Sequence, residues 1–501
     1  NSGKTSGIFY LIFMDLLEFK KLAETYKTIP VYKKILADLL TPISAYMRLE
    51  KNAEYAFILE SVEKGEQYGR YSFIGRNPEM VLSSENGKTQ LKKNGEWEGI
   101  SSEYLSVLRQ MQSKYHAPKL QGMPHFTGGL VGYLGYESIV WVEDIPVHEK
   151  DEFQCPDSIF MLYNDMIAFD HLQNQIILFS NVQIDEGLDL ENAFEKAHER
   201  IDKMGEDLHT DIDYQSPIQL EQSELHSNFS QSEFETAVDV AKEHIKAGDV
   251  FQLVLSQRFH RNTSADPLTV YRALRSINPS PYMFHLKLNG FDIIGASPEL
   301  LVKVEENEIE IRPIAGTYQR GMNAEDDAQL ADELLKDDKE RAEHLMLVDL
   351  GRNDVGRASE FDTVQVKEFM VVEYYSHVMH IVSDVRGTLH KDKDVFDALY
   401  SGFPAGTLTG APKIRAMEII NELEPNRRGV YAGAIGFFDF TGEMNTCIAI
   451  RTMVMKDGTV YFQSGAGIVY DSDSTMEYDE TVNKAKAINS AIDLAEKGLV
   501  E

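Results

Sequence analysis

The sequence has two cysteines in 501 residues, Cys155 and Cys447, and neither belongs to a CxxC pair or a histidine-spaced metal pattern. That excludes a disulfide framework and a zinc-finger spacing, and it fits a reducing cytoplasm. Cations are also scarce: Lys plus Arg number 49 against 81 Asp plus Glu, a formal charge of −32. Such a surface repels a polyanion, which argues against nucleic-acid binding. No apolar run reaches the roughly 18–20 residues of a membrane-spanning helix. The apolar stretch Gly7–Met14 lacks the charged start and small-residue cleavage pattern of a secretory signal. A phosphate-binding loop is missing too, because the opening NSGKTS lacks the first glycine of GxxxxGK. No methionine precedes Met14, so residues 1–13 read as an unstructured leader or extension and are set apart from the fold. The expectation is a soluble, cytoplasmic protein that uses neither membrane nor nucleic acid.

What is present points to a large mixed fold. At 43% apolar residues the chain can bury one large core or two intertwined ones. From Thr41 to about Val182, β-rich runs such as YAFILES and NQIILFSNV alternate with turn clusters, which predicts an extensive antiparallel sheet. The glycines of FTGGLVGYLGYE lack GxGxxG spacing and suit close backbone packing. Residues 205–228 are polar, acidic and aperiodic, and read as a linker between an N-terminal region (14–204) and a second region (229–501). Ser230 and Glu233 have capping-box spacing, ahead of an apolar stripe over Phe234, Ala237, Val238, Ala241 and Ile245. Further helices are predicted over Asp326–Leu347, Pro412–Leu423, with Pro412 at the first helical position, and Ser474–Lys497. Hairpins interspersed with helices, without strict βαβ alternation, give an α+β class.

Two of those helices carry carboxylates three residues apart, Glu340 with Glu343 and Glu477 with Glu480, which places each pair on one helix face. Paired glutamates also suit a solvated face, but Glu343 abuts the apolar HLMLVDL. Two such faces could converge on Mg²⁺, which takes oxygen ligands and commonly one or two carboxylates. In QSGAGIV, Gly465, Ala466 and Gly467 end a strand with small residues that leave backbone amides open to a carboxylate, or simply form a tight turn. GTLTGAPKIRAMEII offers a Gly-Thr loop running into a helix N-terminus, suited to an anion or to a plain junction. His377 and His380 lie in a strand-like run and fall on opposite faces if that strand is regular.

The ordered blocks RPIAGT, ERAEHLMLVDLGRNDVGR, SHVMHIVSDVRG, FPAGTLTGAPKIRAMEII, YAGAIGFFDF, CIAIRTM and FQSGAGIVYDSDSTMEYDET resemble the chorismate-utilising enzymes. TPISAYMRL, AFILESVEKGEQYGRYSFIG and GGLVGYLGYE resemble the N-terminal region of the anthranilate synthase component I branch. The resemblance implies a two-lobed α+β sandwich of large antiparallel sheets with outer helices. It also implies Mg²⁺-dependent conversion of chorismate and ammonia to anthranilate and pyruvate, the first committed step of tryptophan biosynthesis. Ammonia would come from a glutamine amidotransferase subunit, since neither cysteine here sits in a nucleophile elbow.

By the same resemblance Glu343 and Glu480 match metal carboxylates, with Glu340 and Glu477 behind them. Gly316, Thr317, Tyr431, Arg451, Gly465, Ala466 and Gly467 match substrate contacts, and His380 and Thr407 match catalytic positions. Ser61 with Pro281, Tyr282 and Met283 resemble elements that bind tryptophan as a feedback inhibitor. The family commonly reads Arg-Pro-Arg-Gly where this chain has Tyr318, Gln319, Arg320 and Gly321.

Three alternatives are weighed against that reading. Aminodeoxychorismate synthases typically carry a nucleophilic lysine where this chain has Ala315, and a methyl group leaves the attack to ammonia. Isochorismate and salicylate synthases typically carry a base lysine where this chain has Gln252, and an amide does not deprotonate water at neutral pH. A non-enzymatic amino-acid sensor on the same fold would not need intact glutamate pairs, His380 and Arg451. Position 315 gives the sharpest test. Ala315→Lys is expected to lower anthranilate formation from chorismate and ammonium at least tenfold, read by product fluorescence. An unchanged rate and product would remove position 315 from the choice of nucleophile.

Overall fold

The structure is a computed structural model that describes residues 12–62, 69–151, 154–212, 220–375 and 378–500. His377 therefore lies outside the described residues, as do residues 1–11. Ile12 and Phe13 were set aside with the leading residues, but they form a short strand paired with Lys34 and Lys33.

Two large sheets dominate, one of 13 strands and one of 12 among the described residues. The first runs from Ile12–Phe13 and Thr28–Leu36 at one edge, through Tyr55–Glu60, Tyr282–Leu288 and Phe291–Ser297, to Thr459–Ile468, Gln252–Asn262 and the short His226–Ser227 at the other. The second runs from Ile314–Gln319 and Val378–Thr388, through Leu300–Glu305 and Met444–Ile448, to Gly129–Leu134 and Glu96–Ile100. Neighbouring strands run antiparallel in both: Thr28–Leu36 against Gln175–Gln183 and Gln252–Asn262 against Thr459–Ile468 in the first, Gly129–Leu134 against Ala434–Asp439 in the second. Both sheets draw strands from each side of the segment read as a linker. That segment also receives the end of the helix Leu190–Asp207, and its strand His226–Ser227 pairs with His260 and Phe259. The observed architecture is the α+β sandwich of antiparallel sheets expected from the sequence.

Local chemistry explains many of the turns. The dipeptides Asn86-Gly87 and Asn94-Gly95 take left-handed backbone (φ 51 and 73°, 53 and 86°) and close the hairpins Met80–Glu85/Lys88–Lys93 and Lys88–Lys93/Glu96–Ile100. Two consecutive positive φ angles match the right-handed twist of the flanking strands, and Asn-Gly adopts them with little strain. Between the sheets, aromatic rings interlock: Phe57 meets Tyr163 edge-on with centroids 4.8 Å apart, and Phe126 stacks on Phe437 at 4.2 Å. The glycines of residues 126–137 serve this packing. A Cβ on Gly132 would lie 1.9 Å from the Ile159 carbonyl oxygen, and one on Gly129 would lie 2.1 Å from that of Phe438.

Helices cover the outer faces. Gln231–Ala247 starts with the expected capping box, in which Ser230 accepts from the Glu233 amide and Glu233 from the Ser230 amide. The helix expected over Asp326–Leu347 is two helices, Ala324–Leu334 and Asp338–Ala358. The Asp337 side chain accepts from the Lys339 and Glu340 amides, and this cap starts the second helix. Pro412 is the N-cap of Lys413–Leu423 rather than its first residue, with extended backbone at ψ 140°. The last helix is Ser474–Glu496, with Lys497 as its C-cap. No helix among the described residues is long and apolar enough to cross a membrane. Both cysteine thiols are pushed up to about 12 by burial, which leaves them unreactive.

The contact at Gly132 predicts a measurable penalty. Gly132→Ala is expected to destabilise the chain by about 1–3 kcal/mol, the usual range for overpacking. A denaturation midpoint equal to that of the unsubstituted chain would contradict the packing described.

Candidate active site

The strand Ile314–Gln319 pairs with Val378–Thr388 through a bulge between Ala315 and Thr317, and Gly316 occupies it with φ 72°. Left-handed backbone is nearly free of strain only for glycine. The bulge turns the Gly316 carbonyl oxygen toward His380, whose Nδ1 lies 3.0 Å away. A carbonyl only accepts, so Nδ1 carries the proton and the neutral ring keeps an open lone pair on Nε2. Thr317 Oγ1 also stands 3.0 Å from Nδ1. Burial, with Arg451 adding to it, lowers the His380 pKa against the opposing hydrogen bond to Gly316, so the ring is neutral at physiological pH. Ala315 is buried in the same strand, at 8% exposure.

Glu340 and Glu343 stand in the first two turns of Asp338–Ala358, which packs on both strands just described. A Cβ on Gly316 would lie 3.2 Å from Glu340 Oε2, so the bulge and the carboxylate touch. Glu477 and Glu480 stand at the start of Ser474–Glu496, which packs on Thr459–Ile468 in the other sheet. The two helices thus belong to different sheets, yet their carboxylates interact. Burial raises the Glu343 pKa, and Glu340 and then Glu480 raise it further. Burial and Glu480 likewise raise Glu477, and burial with Asp337 raises Glu340. Lys484 partly offsets this charge, bonding Glu480 at 2.7 Å and the Gly465 carbonyl at 3.0 Å.

Gly465, Ala466 and Gly467 lie within the strand Thr459–Ile468, opposite Ser256, Leu255 and Val254. They stand at the C-terminal end of that strand, as the sequence suggested, and not in a tight turn. A Cβ on Gly465 would lie 2.9 Å from the Tyr431 hydroxyl, and one on Gly467 would lie 3.0 Å from Gln252 Nε2. Small residues there leave room that Tyr431 and Gln252 border.

Arg451 and Glu299 share a position in the topology. Arg451 lies between Met444–Ile448 of one sheet and Thr452–Lys456 of the other, with φ 50°, and Glu299 lies between Phe291–Ser297 and Leu300–Glu305. Both stand where the chain crosses between sheets. Glu299 Oε1 accepts from Thr407 Oγ1 at 3.0 Å. Burial raises its carboxyl to about 7, with Thr407 and Arg451 opposing the rise. Glu299, Thr407, Pro313 and Leu350 help to line a small cleft.

The residues expected from the sequence therefore gather around one connected region, from Gly316 through His380 and the glutamates to Gly465 and Tyr431, with Thr407 and Arg451 linked through Glu299. Ser61, Pro281, Tyr282 and Met283 form a second group. Glu60 pairs with Met283, and the Val62 amide donates to Ser280 at 3.2 Å. One strand pair lies between the two groups: in it Tyr282 faces Ser297, two residues before Glu299. Ser61 Oγ is buried without a hydrogen-bond partner, a feature suited to a ligand.

Sequence reasoning missed Glu299 and Lys484. The i,i+4 spacing of Glu480 and Lys484 was a readable signal, whereas Glu299 is a single carboxylate after a proline with no periodic partner. A further cluster, His125, Glu305 and Glu443, brings ligand-type atoms within 4.8 Å of one another, the only such group of three among the described residues. Without a metal ion it forms an ion-pair knot: the carboxylates contact both ring nitrogens of His125 and raise its pKa to about 10.

With the geometry in place, similarity to known proteins decides the family. Residues 54–490 match the chorismate binding enzymes. The chain belongs to that family. It is 45% identical over 494 residues to anthranilate synthase component 1 of Acetivibrio thermocellus, covering 97% of this chain and 99% of the relative. It is 47% identical over 497 residues to the protein of that name from Synechocystis, covering 95% and 98%. Among solved structures, anthranilate synthase component I from Streptococcus pneumoniae superposes with a TM-score of 0.75 at 38% identity, over 91% of this chain and 98% of that one. The menaquinone-specific isochorismate synthase of Escherichia coli superposes with a TM-score of 0.70 at 17% identity, over 95% and 98%, and shares the fold.

For this chorismate binding enzyme the bulge is a direct point of attack. Gly316→Ala is expected to lower kcat/KM for chorismate at least tenfold, because it strains the bulge and crowds Glu340. A variant at the unsubstituted value would show that the bulge does not shape the site.

Proposed function

We propose that the chain is component 1 of an anthranilate synthase, converting chorismate and ammonia to anthranilate, pyruvate and water. In the cell a glutamine-hydrolysing partner subunit, component 2, would supply the ammonia. Beyond the relatives' names, the observation that carries this reading is the pair Ala315 and Gln252. Ala315 is buried beside the Gly316 bulge and Gln252 borders Gly467, so neither position offers an amine. That supports amination by external ammonia over covalent attack by lysine or addition of water.

The acidic helix faces fit a hard divalent cation. Glu340, Glu343 and Glu477 are half-buried and Glu480 is exposed, the carboxylates repel one another, and Lys484 is a bonded cation. Glu343 and Glu480 would hold Mg²⁺, with Glu340 and Glu477 behind them. Once bound, the ion would supply positive charge beside the ring carboxylate of chorismate. Arg451 would take a substrate carboxylate through its guanidinium fork, and the open strand at Gly465–Gly467, bordered by Tyr431, would seat the rest of the molecule.

Ammonia attacks the ring carbon next to the carboxylate-bearing carbon, and the ring hydroxyl departs. Glu299, protonated near neutral pH, donates its proton so that the hydroxyl leaves as water, while Thr407 holds the carboxyl in place. In the second stage His380 Nε2 takes the proton from the aminated carbon. The bond between the ring and the enolpyruvyl oxygen breaks, and enolpyruvate becomes pyruvate as the ring turns aromatic. The tautomer fixed by Gly316 supports that basic role.

The second group supports feedback control by tryptophan. Tryptophan bound by Ser61 and Pro281–Met283 would shift the strand pair that leads to Glu299 and favour a state with weaker chorismate affinity. Linkage then requires chorismate to weaken tryptophan binding by the same factor.

Product identification from purified chain, chorismate, Mg²⁺ and ammonium tests the assignment. Anthranilate and pyruvate are expected in equal amounts, and aminodeoxychorismate or isochorismate as the sole product would overturn it. A carboxyl raised to about 7 carries its proton below that pH and loses it above. The rate should therefore fall on an alkaline limb centred at or above about 7. Glu299→Gln should lose at least a hundredfold in kcat and the limb with it; a limb that persists in this variant assigns the proton elsewhere. Ser61→Leu should weaken tryptophan inhibition at least tenfold, and undiminished inhibition would remove Ser61 from the site.

A further inference from the structure

We propose that the buried pair Arg428–Glu424 is a positioning element that locks three separately folded substrate-contacting segments against one another. The proposal rests on the reading of Thr407, Tyr431 and Gly465–Gly467 given above. The two side chains are 1% and 4% exposed, and they meet at 2.6 Å. Their spacing of four residues is not a helical pair, because the helix ends at Leu423 and Glu424 is its C-cap.

The guanidinium fork reaches in several directions at once. Arg428 Nη1 donates to the Leu408 carbonyl at 2.7 Å, one residue after Thr407. Nη2 donates to the Val254 carbonyl at 2.8 Å, and Val254 is the strand partner of Gly467. Nε and Nη2 both bond Glu424, at 2.9 and 2.6 Å. The same guanidinium lies over the Tyr431 ring at 5.6 Å and over Tyr136 at 4.8 Å. Glu424 Oε1 extends the hub, accepting from the Ser256 amide at 2.8 Å and its hydroxyl at 2.7 Å. Ser256 is the strand partner of Gly465.

On the far side, Glu137 accepts from the backbone amides of Arg428 and Gly429 at 2.7 and 3.0 Å, which fixes the turn leading to Tyr431. A small cleft borders Arg428, Glu424, Tyr136 and Glu137. A buried ion pair is weak evidence of added stability. What this pair does, bond by bond, is fix the Thr407 loop, the Gly465–Gly467 strand and Tyr431 in one geometry. Lysine has no planar fork and cannot make these contacts together.

The test compares chorismate and ammonium kinetics in the full chain with Mg²⁺. Arg428→Lys and Glu424→Gln should each lower kcat/KM for chorismate at least tenfold while KM for ammonium stays within twofold. Ser256→Ala removes one hydroxyl only and should lower kcat/KM for chorismate about threefold with the fold intact, so the test survives if the charged variants do not fold. A merely structural role would lower the melting temperature and the active fraction, and would leave both KM values unchanged. That pattern, or wild-type kcat/KM for chorismate in Ser256→Ala or in a folded charged variant, overturns the proposal. Thr407→Ala and Tyr431→Phe run alongside: wild-type kinetics in both would overturn the site assignment itself, whatever the hub variants do.

Discussion

Carboxylates on two helices from opposite sheets are held close enough to repel one another, and the surrounding structure is arranged around that repulsion. Glu340 and Glu343 ride on a helix packed against Val378–Thr388, and Glu477 and Glu480 on one packed against Thr459–Ile468. The helices are placed by their sheets, so the acidic faces cannot drift apart without disturbing strand packing. Desolvation makes the repulsion stronger than it would be in water. Lys484 relieves part of it through Glu480 and ties the relief to the Gly465 backbone. The chain as a whole carries −32, so an anionic substrate needs a local reversal of potential. Arg451 and a bound cation would supply it.

The crossings between sheets carry two groups of the proposed site. A chain that leaves one sheet and enters the other must pass through irregular backbone, and such segments can aim a side chain that a regular strand would not. Glu299 and Arg451 both lie on crossings of this kind, and the Arg451 carbonyl accepts from the Ala296 amide at 3.1 Å, which holds the two connections together. The same connection extends from Tyr282 of the second group of residues, so a disturbance there has a short route to Glu299.

Much of this was legible in the sequence where the signal is local. The capping box at Ser230 and Glu233 and the close-packed glycines each follow from a few adjacent residues and recur in the structure as expected, and the Asn-Gly hairpins, though not singled out, carry a signal just as local. The break between Ala324–Leu334 and Asp338–Ala358 was missed because the acidic, apolar pattern runs on through it, and only the Asp337 side chain marks the new start. The hub at Arg428 was invisible for a different reason. Its partners are the carbonyls of Val254 and Leu408 and the hydroxyl of Ser256, groups that any residue or many serines provide. Main-chain partners leave no compositional trace, so a buried guanidinium that depends on them can be found only once the chain is folded.

The central claim is that the two glutamate faces act together as one cation site. Titration with Mn²⁺ in place of Mg²⁺, followed by electron paramagnetic resonance in the presence of chorismate, measures this directly. The account predicts one bound ion per chain, lost in Glu343→Gln/Glu480→Gln and retained in His125→Ala. Full binding in the double glutamine variant, or loss on substitution of His125, would contradict it.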